Sequence, residues 1–284
     1  MVRVNQFIAL GAVLALTLLT THTAFAGPAG SSGDSLTVAG SVEGGLRTNL
    51  WTTDPNGGGL NLGEYTYQLF GPEDADYRLC GTFNEVDGES PVAVKINSSG
   101  EYFIWHVKDS GGPGGIAVIT FGNPATDTPT IMDVNGDGFD NPVVVRDAGG
   151  ALQWITYDNV AESFLFGPAG SAPVPGNWDA QSAGDEAAVT TAGTEGSGKK
   201  LWRWQDDSIQ SGVGSAILGD PTDRDVAYTD GGVTRPGAAR VQTISTPDGD
   251  KDVNVYRIRI ADDLTETIVF GDANTSAPVG SCNL

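Results

Sequence analysis

Histidine, cysteine and positive charge are scarce in this chain of 284 residues. Its two histidines are His22 and His106. His22 falls in a segment that reads as a cleaved leader. A His-based zinc centre is therefore excluded, and a Ser-His-Asp triad would rest on His106 alone. Fifteen basic residues stand against 36 acidic ones, a net charge of −21. Such a surface repels phosphate and anionic lipid, so neither nucleic acid nor insertion into an anionic membrane is expected. Divalent cations, basic protein patches and neutral glycans remain suitable partners. No stretch beyond the leader shows a sustained helical period, which leaves no helix for a Gly-rich phosphate loop to precede. Two cysteines, Cys80 and Cys282, complete the short inventory.

The leader itself has three parts. Residues 1–6 carry one positive charge at Arg3, residues 7–20 are almost wholly apolar, and Ala24-Phe25-Ala26 supplies a small-x-small cleavage pattern. An apolar run this short reads as a secretory signal and not as a membrane span. Cleavage near Ala26 is expected, with the product secreted, held at the cell surface or retained in a periplasm. In those compartments oxidation is the default, so Cys80 and Cys282 are expected to form one disulfide.

What is abundant is glycine, 40 residues of it, set among Thr, Val and Ser. That composition suits short strands joined by tight turns, and hence an all-β fold. Phe-Gly recurs at residues 70–71, 121–122, 166–167 and 270–271, with Leu218-Gly219 as a weaker copy. Each mark ends a strand-like run: residues 65–70, 116–121, 163–166, 215–218 and 267–270. Ahead of these lie aromatic strands at residues 50–51, 102–105, 152–154, 201–204 and 255–260, the first four with Trp51, Trp105, Trp154 and Trp202 or Trp204 at similar points. Ahead of those again lie Val- and Ala-rich strands at 91–95, 142–146, 187–191 and 238–244. A further extended piece follows each mark, at 77–83, 129–134, 173–178, 225–228 and 278–282. Four strands per period of about 50 residues is the content of one propeller blade.

Only three strands fit before Phe70, and only one after Phe270. The sequence therefore predicts a five-bladed β-propeller of four-stranded antiparallel blades, closed by the C-terminal strand joining the N-terminal blade. The domains are a signal peptide at 1–26 and one propeller at 27–284. Its blades are expected at 35–71 with 275–284, 72–122, 123–167, 168–219 and 220–271. An open stack would leave sheet edges exposed. The cysteine pair would then staple adjoining blades at the closure.

Residues 129–146, reading Pro-Thr-Ile-Met-Asp-Val-Asn-Gly-Asp-Gly-Phe-Asp-Asn-Pro-Val-Val-Val-Arg, resemble the FG-GAP (VCBS-like) repeats of bacterial exported proteins. Residues 172–179 are similar to the same pattern in the next repeat. Related repeats form the seven-bladed propeller of integrin α subunits, and this chain is too short for seven. Alternate oxygen-bearing side chains at Asp133, Asn135 and Asp137, with Gly138 permitting the turn, can converge on one hard cation. The resemblance implies calcium, with those three as side-chain ligands, a carbonyl near Phe139, and Asp140 or Asn141 closing the shell. The other repeats have lost this loop, so one ion per blade is not expected. Asp248, Asp250 and Asp252 also alternate, but at a hairpin tip, where a polar turn is the simpler reading.

Recurrence of tryptophan at one blade position argues for packing between blades. Trp178 lies outside that series and is the residue expected to be exposed for ligand contact. A glycoside hydrolase needs paired carboxylates at a channel mouth. The innermost strands offer only Asp133 and Asp225, which makes the supply look thin. The expected function is non-catalytic binding of an extracellular protein or glycan. A five-bladed glycoside hydrolase and a structural subunit of an extracellular assembly are the alternatives.

Overall fold

The structure, a computed structural model, describes residues 36–41, 48–54, 66–72, 74–83, 89–108, 116–157, 163–179, 184–193, 198–206, 212–230, 233–247, 249–261, 264–272 and 277–280. These residues form twenty strands, with no helix among them. The strands group into four-stranded antiparallel sheets arranged as the blades of a propeller.

Four of the sheets are each built from consecutive strands. The first of these holds β4 (Tyr77–Thr82), β5 (Glu89–Ile96), β6 (Phe103–Lys108) and β7 (Ile116–Thr120). The next holds β8 (Asp127–Met132), β9 (Asn141–Asp147), β10 (Ala151–Thr156) and β11 (Phe164–Pro168). Then come β12 (Ala172–Pro173), β13 (Ala188–Thr191), β14 (Leu201–Gln205) and β15 (Val213–Ile217). The last run is β16 (Arg224–Asp230), β17 (Val233–Thr246), β18 (Gly249–Ala261) and β19 (Leu264–Asp272). A remaining sheet is composite: β1 (Leu36–Ser41), β2 (Thr48–Asp54) and β3 (Thr66–Pro72) are joined by β20 (Ala277–Gly280), in the order β20-β1-β2-β3. The tail of the chain thus pairs with its head, through Val38 opposite Pro278 and Ala39 opposite Ala277.

Burial along each strand follows from its place in a blade. The second strand is covered on both faces by neighbouring blades, so β9 is buried through Pro142, Val143, Val144 and Val145 without alternation. The outermost strand faces solvent on one side, and β15 alternates exposed and buried residues.

Gly71, Gly122, Gly167 and Gly219, which end the outermost strands, all take positive φ. A Cβ on Gly122, Gly167 or Gly219 would lie 2.6–2.7 Å from Val144, Val189 or Ala238, each on the second strand of the following blade. Gly71 abuts Ala93 in the same way. The glycine therefore permits both the turn and the close approach of one blade to the next.

The tryptophan series sets the same seam from inside. Trp105, Trp154 and Trp202 have no exposed surface. Their indole N–H groups donate to the carbonyls of Phe121 (2.9 Å), Phe166 (3.0 Å) and Leu218 (3.1 Å). In each case the accepting residue stands two positions after the ring's cross-strand partner (Ile119, Phe164 and Ala216). Tyr256 holds the corresponding place opposite Ile268. Each buried indole removes about 150–250 Å² from water, and at about 25 cal/mol per Å² this outweighs the net worth of its hydrogen bond several-fold.

Two expectations need correction here. The inner strand expected over 173–178 is shorter: β12 covers Ala172–Pro173, and the Val174 N–H, bonded to the Ala188 carbonyl, carries the pairing on to a bridge between Gly176 and Glu186, where it ends. Pro173 and Pro175 alternate with the two donors Val174 and Gly176, so the N–H groups that proline lacks fall on the side away from β13. Trp178, expected to be exposed, is only 5% exposed. It packs on Trp204 with ring centroids 5.3 Å apart, and its N–H donates to the Val174 carbonyl.

Candidate functional site

The inner strands surround a cavity of about 450 Å³ whose walls come from four sheets. Arg78 and Thr82 reach it from β4, Thr130 and Ile131 from β8, Asp225 and Thr229 from β16, and Val174 to Asn177 from the stretch after β12. Among the described residues four carboxylates line it: Asp133, Asp140, Asp185 and Asp225.

Asp133, Asn135 and Asp137 do lie together in one loop, between β8 and β9. The buried Asp133 carboxylate accepts N–H groups from Gly136 (2.8 Å), Asp137 (3.3 Å) and Gly138 (2.8 Å). Asn135 Nδ2 donates to Asp137 Oδ2, and Asp137 Oδ1 accepts the Phe139 N–H. Gly136 and Gly138 take the positive φ that this winding needs.

The loop is clamped on both sides by neighbouring blades. The Asp133 N–H donates to Asp185 Oδ2 (3.0 Å), while the Asp185 N–H donates to the Asp133 carbonyl (2.8 Å). Gly184 sits against the loop so closely that a Cβ would be 2.6 Å from the Asp133 oxygen. On the other side Asp140 exchanges two hydrogen bonds of 2.6 Å with the backbone of Thr82. One acidic loop therefore ties three blades together at a single end of the cavity.

These oxygen donors fit a hard cation in kind and in loop order. Among the described residues, no group of three or more His, Cys, Asp or Glu side chains converges in metal-holding geometry. The oxygens of Asp133 instead face the loop's own N–H groups. Asn141 stands at the start of β9 opposite Met132.

The electrostatics are those of crowded acids. Burial, with the nearby Asp133 charge, pushes Asp185 up to about 6, against which its hydrogen bonds to Asp133 N–H and Asp140 act. Burial likewise pushes Glu186 up to about 7, although its carboxylate accepts the Trp178 and Asp179 N–H groups. Asp225 is neutralised by Lys200 Nζ at 2.8 Å and accepts the Thr190 hydroxyl at 2.7 Å, across a blade boundary. His106 stands on β6 opposite Ala93 and Val118, its pKa lowered by burial and by Lys95.

The count of cavity carboxylates from the innermost strands alone, Asp133 and Asp225, was too low. Asp140 and Asp185 reach the same cavity from loops some 45 residues apart, and their carboxyls are hydrogen-bonded to each other. A signal was present: both lie in Asp-rich stretches that follow an inner strand. Cys80 is half-buried on β4 and lines the cavity, with no free thiol among the described residues. Cys282 lies outside the described residues, as do Asp248 and the expected leader at 1–26. Asp250 and Asp252 accept the Ser245 and Thr243 hydroxyls, as suits a polar hairpin end.

An all-β propeller with an acid-lined axial cavity is the class that these features define. No protein-family model, no curated protein and no solved structure matches the chain.

Proposed function

We propose that the protein is a secreted, non-catalytic binding propeller that recognises an extracellular protein or glycan. Five sheets close into one ring. Calcium is held by Asp133, Asn135 and Asp137, with Phe139, Asp140 and Asn141 completing the site, and a disulfide joins Cys80 to Cys282. The observation that carries the reading is the polar cavity of about 450 Å³, framed by inner strands of different blades. Ring closure is supported by β20, which pairs with β1 and lies beside both β4 and β16. The same adjacency brings the tail of the chain towards Cys80.

A glycan and protein binding screen with the purified protein tests the main reading, and a screen without a single saturable ligand overturns it. The ion is tested separately by thermal unfolding in calcium and in chelator, on wild type and Asp137→Ala. Calcium is expected to raise the Tm of wild type only. Equal melting in all four samples removes the ion.

A glycoside hydrolase is the second reading, and the four carboxylates around one cavity favour it. Hydrogen-bonded Asp140 and Asp185 are closer than the roughly 5–9 Å that separates glycosidase pairs. Hydrolysis of chromogenic glycosides by wild type, lost in Asp185→Asn, would establish this reading over the first.

A further inference from the structure

A second, smaller cleft lies between two blades and shares Thr234 with the axial cavity. It measures about 140 Å³. Trp178, Trp204 and Ser215 line it from one blade, and Thr234, Arg235 and Arg259 from the next. No acidic residue lines it among the described residues. In a chain with 36 acidic and 15 basic residues, a recess lined by Arg235 and Arg259 and by no acidic residue among the described ones stands out.

Two donors there lack acceptors. Trp204 Nε1 and Arg235 Nε are both buried with no hydrogen-bond partner. The indole N–H groups of Trp105, Trp154 and Trp202 at the blade seams all have acceptors, and that of Trp204 does not. Buried donors left unpaired cost free energy, which an acceptor entering the cleft would recover. The aromatic wall is rigid: Trp204 stands opposite Gly214, so its indole occupies the space a side chain would fill, and it stacks on Trp178.

We infer that this cleft binds the ring of a carboxylated sugar, a uronate residue of an acidic glycan. The carboxylate meets Arg235 and Arg259, and the sugar ring lies along the Trp204 wall. The volume is below the roughly 300 Å³ of sites for larger ligands, so it takes one ring and not a chain of them. This names a ligand class within the binding function proposed above and rests on that reading.

The test titrates the full chain with D-glucuronate, D-glucose and acetate, read by tryptophan fluorescence and by saturation-transfer NMR. Glucuronate is expected to saturate, with glucose and acetate each weaker by roughly tenfold or more, the loss of one charge-assisted or ring contact. Arg235→Gln is expected to weaken glucuronate by roughly tenfold at unchanged Tm.

No saturation by glucuronate overturns the inference. So does acetate binding equally well, which would describe a bare carboxylate site of the kind an acidic peptide uses. If Arg235→Gln unfolds, the wild-type selectivity among the three probes decides alone. Neutral glycans bound equally by wild type and Arg235→Gln, with glucuronate ignored, would remove this site and leave the binding function standing.

Discussion

The blade of β8–β11 and the blade of β16–β19 place a large aromatic residue at the same register position, yet they finish it differently. Trp154 is buried with its N–H given to the Phe166 carbonyl. Tyr256 is equally buried, but its hydroxyl has no partner. Burial also raises its pKa, so it stays a neutral phenol. What the two blades share is the filled volume between sheets. The seam is thus specified by an apolar ring, and the hydrogen bond refines it.

Replacing the ring altogether should have the largest effect. Trp154→Ala is expected to cost about 3–5 kcal/mol by denaturant unfolding, from lost burial and the cavity left behind. A cost under about 1 kcal/mol would mean that the ring does not hold the seam. Next come the glycines at the blade edges. Gly167→Ala is expected to combine about 1–2 kcal/mol of left-handed backbone strain with roughly 1–3 kcal/mol of overpacking. The overpacking follows from the 2.7 Å approach to Val189. Gly149 has a similar φ and open space around it, so Gly149→Ala should show the strain alone. Equal losses at the two sites would remove the close approach from the account.

The acids beside Trp178 give a smaller, pH-dependent effect. Glu186 ionises at about 4.5 when exposed and at about 7 when folded. Between those values the folded state holds a proton that the unfolded state has released, so stability falls as pH rises through that window. Asp185, pushed up to about 6, acts in the same direction. Wild-type Tm should drop between pH 5 and pH 8, and Glu186→Gln should flatten the slope. Identical slopes would show that Glu186 is not the source. The smallest effect belongs to Tyr256→Phe. Removing a hydroxyl that makes no bond should leave stability unchanged or raise it by up to about 1 kcal/mol, where a loss would reveal a partner.

Much of this architecture was legible because it repeats. The Phe-Gly marks fall at the ends of the outermost strands, and the tryptophans at one register position, because every blade must solve the same packing problem. The early end of the inner strand at Gly176 was not visible, because a period that holds elsewhere extended it to Trp178. Trp178 was misplaced by similar reasoning. Being outside the tryptophan series suggested exposure, whereas Trp202 and Trp204 on the adjacent strand offered it a place to stack.

The candidate sites were harder to read, since they are not local. The Asp133 loop could be recognised from its spacing, but its clamps come from Thr82 and Asp185 in other blades. The cleft at Arg235 joins residues from five separated stretches of one chain, none of which carries a motif.

The pairing of β20 with β1 has a consequence for how the molecule is made. A chain that emerges head first presents β1 with a bare edge until about 240 further residues have followed. The sheet begun earliest is completed last, and contacts so distant in sequence close slowly. During that interval the free edge is open to the tail of another copy, so the share of exchanged dimers is expected to rise with protein concentration, as size-exclusion chromatography of refolded samples would show.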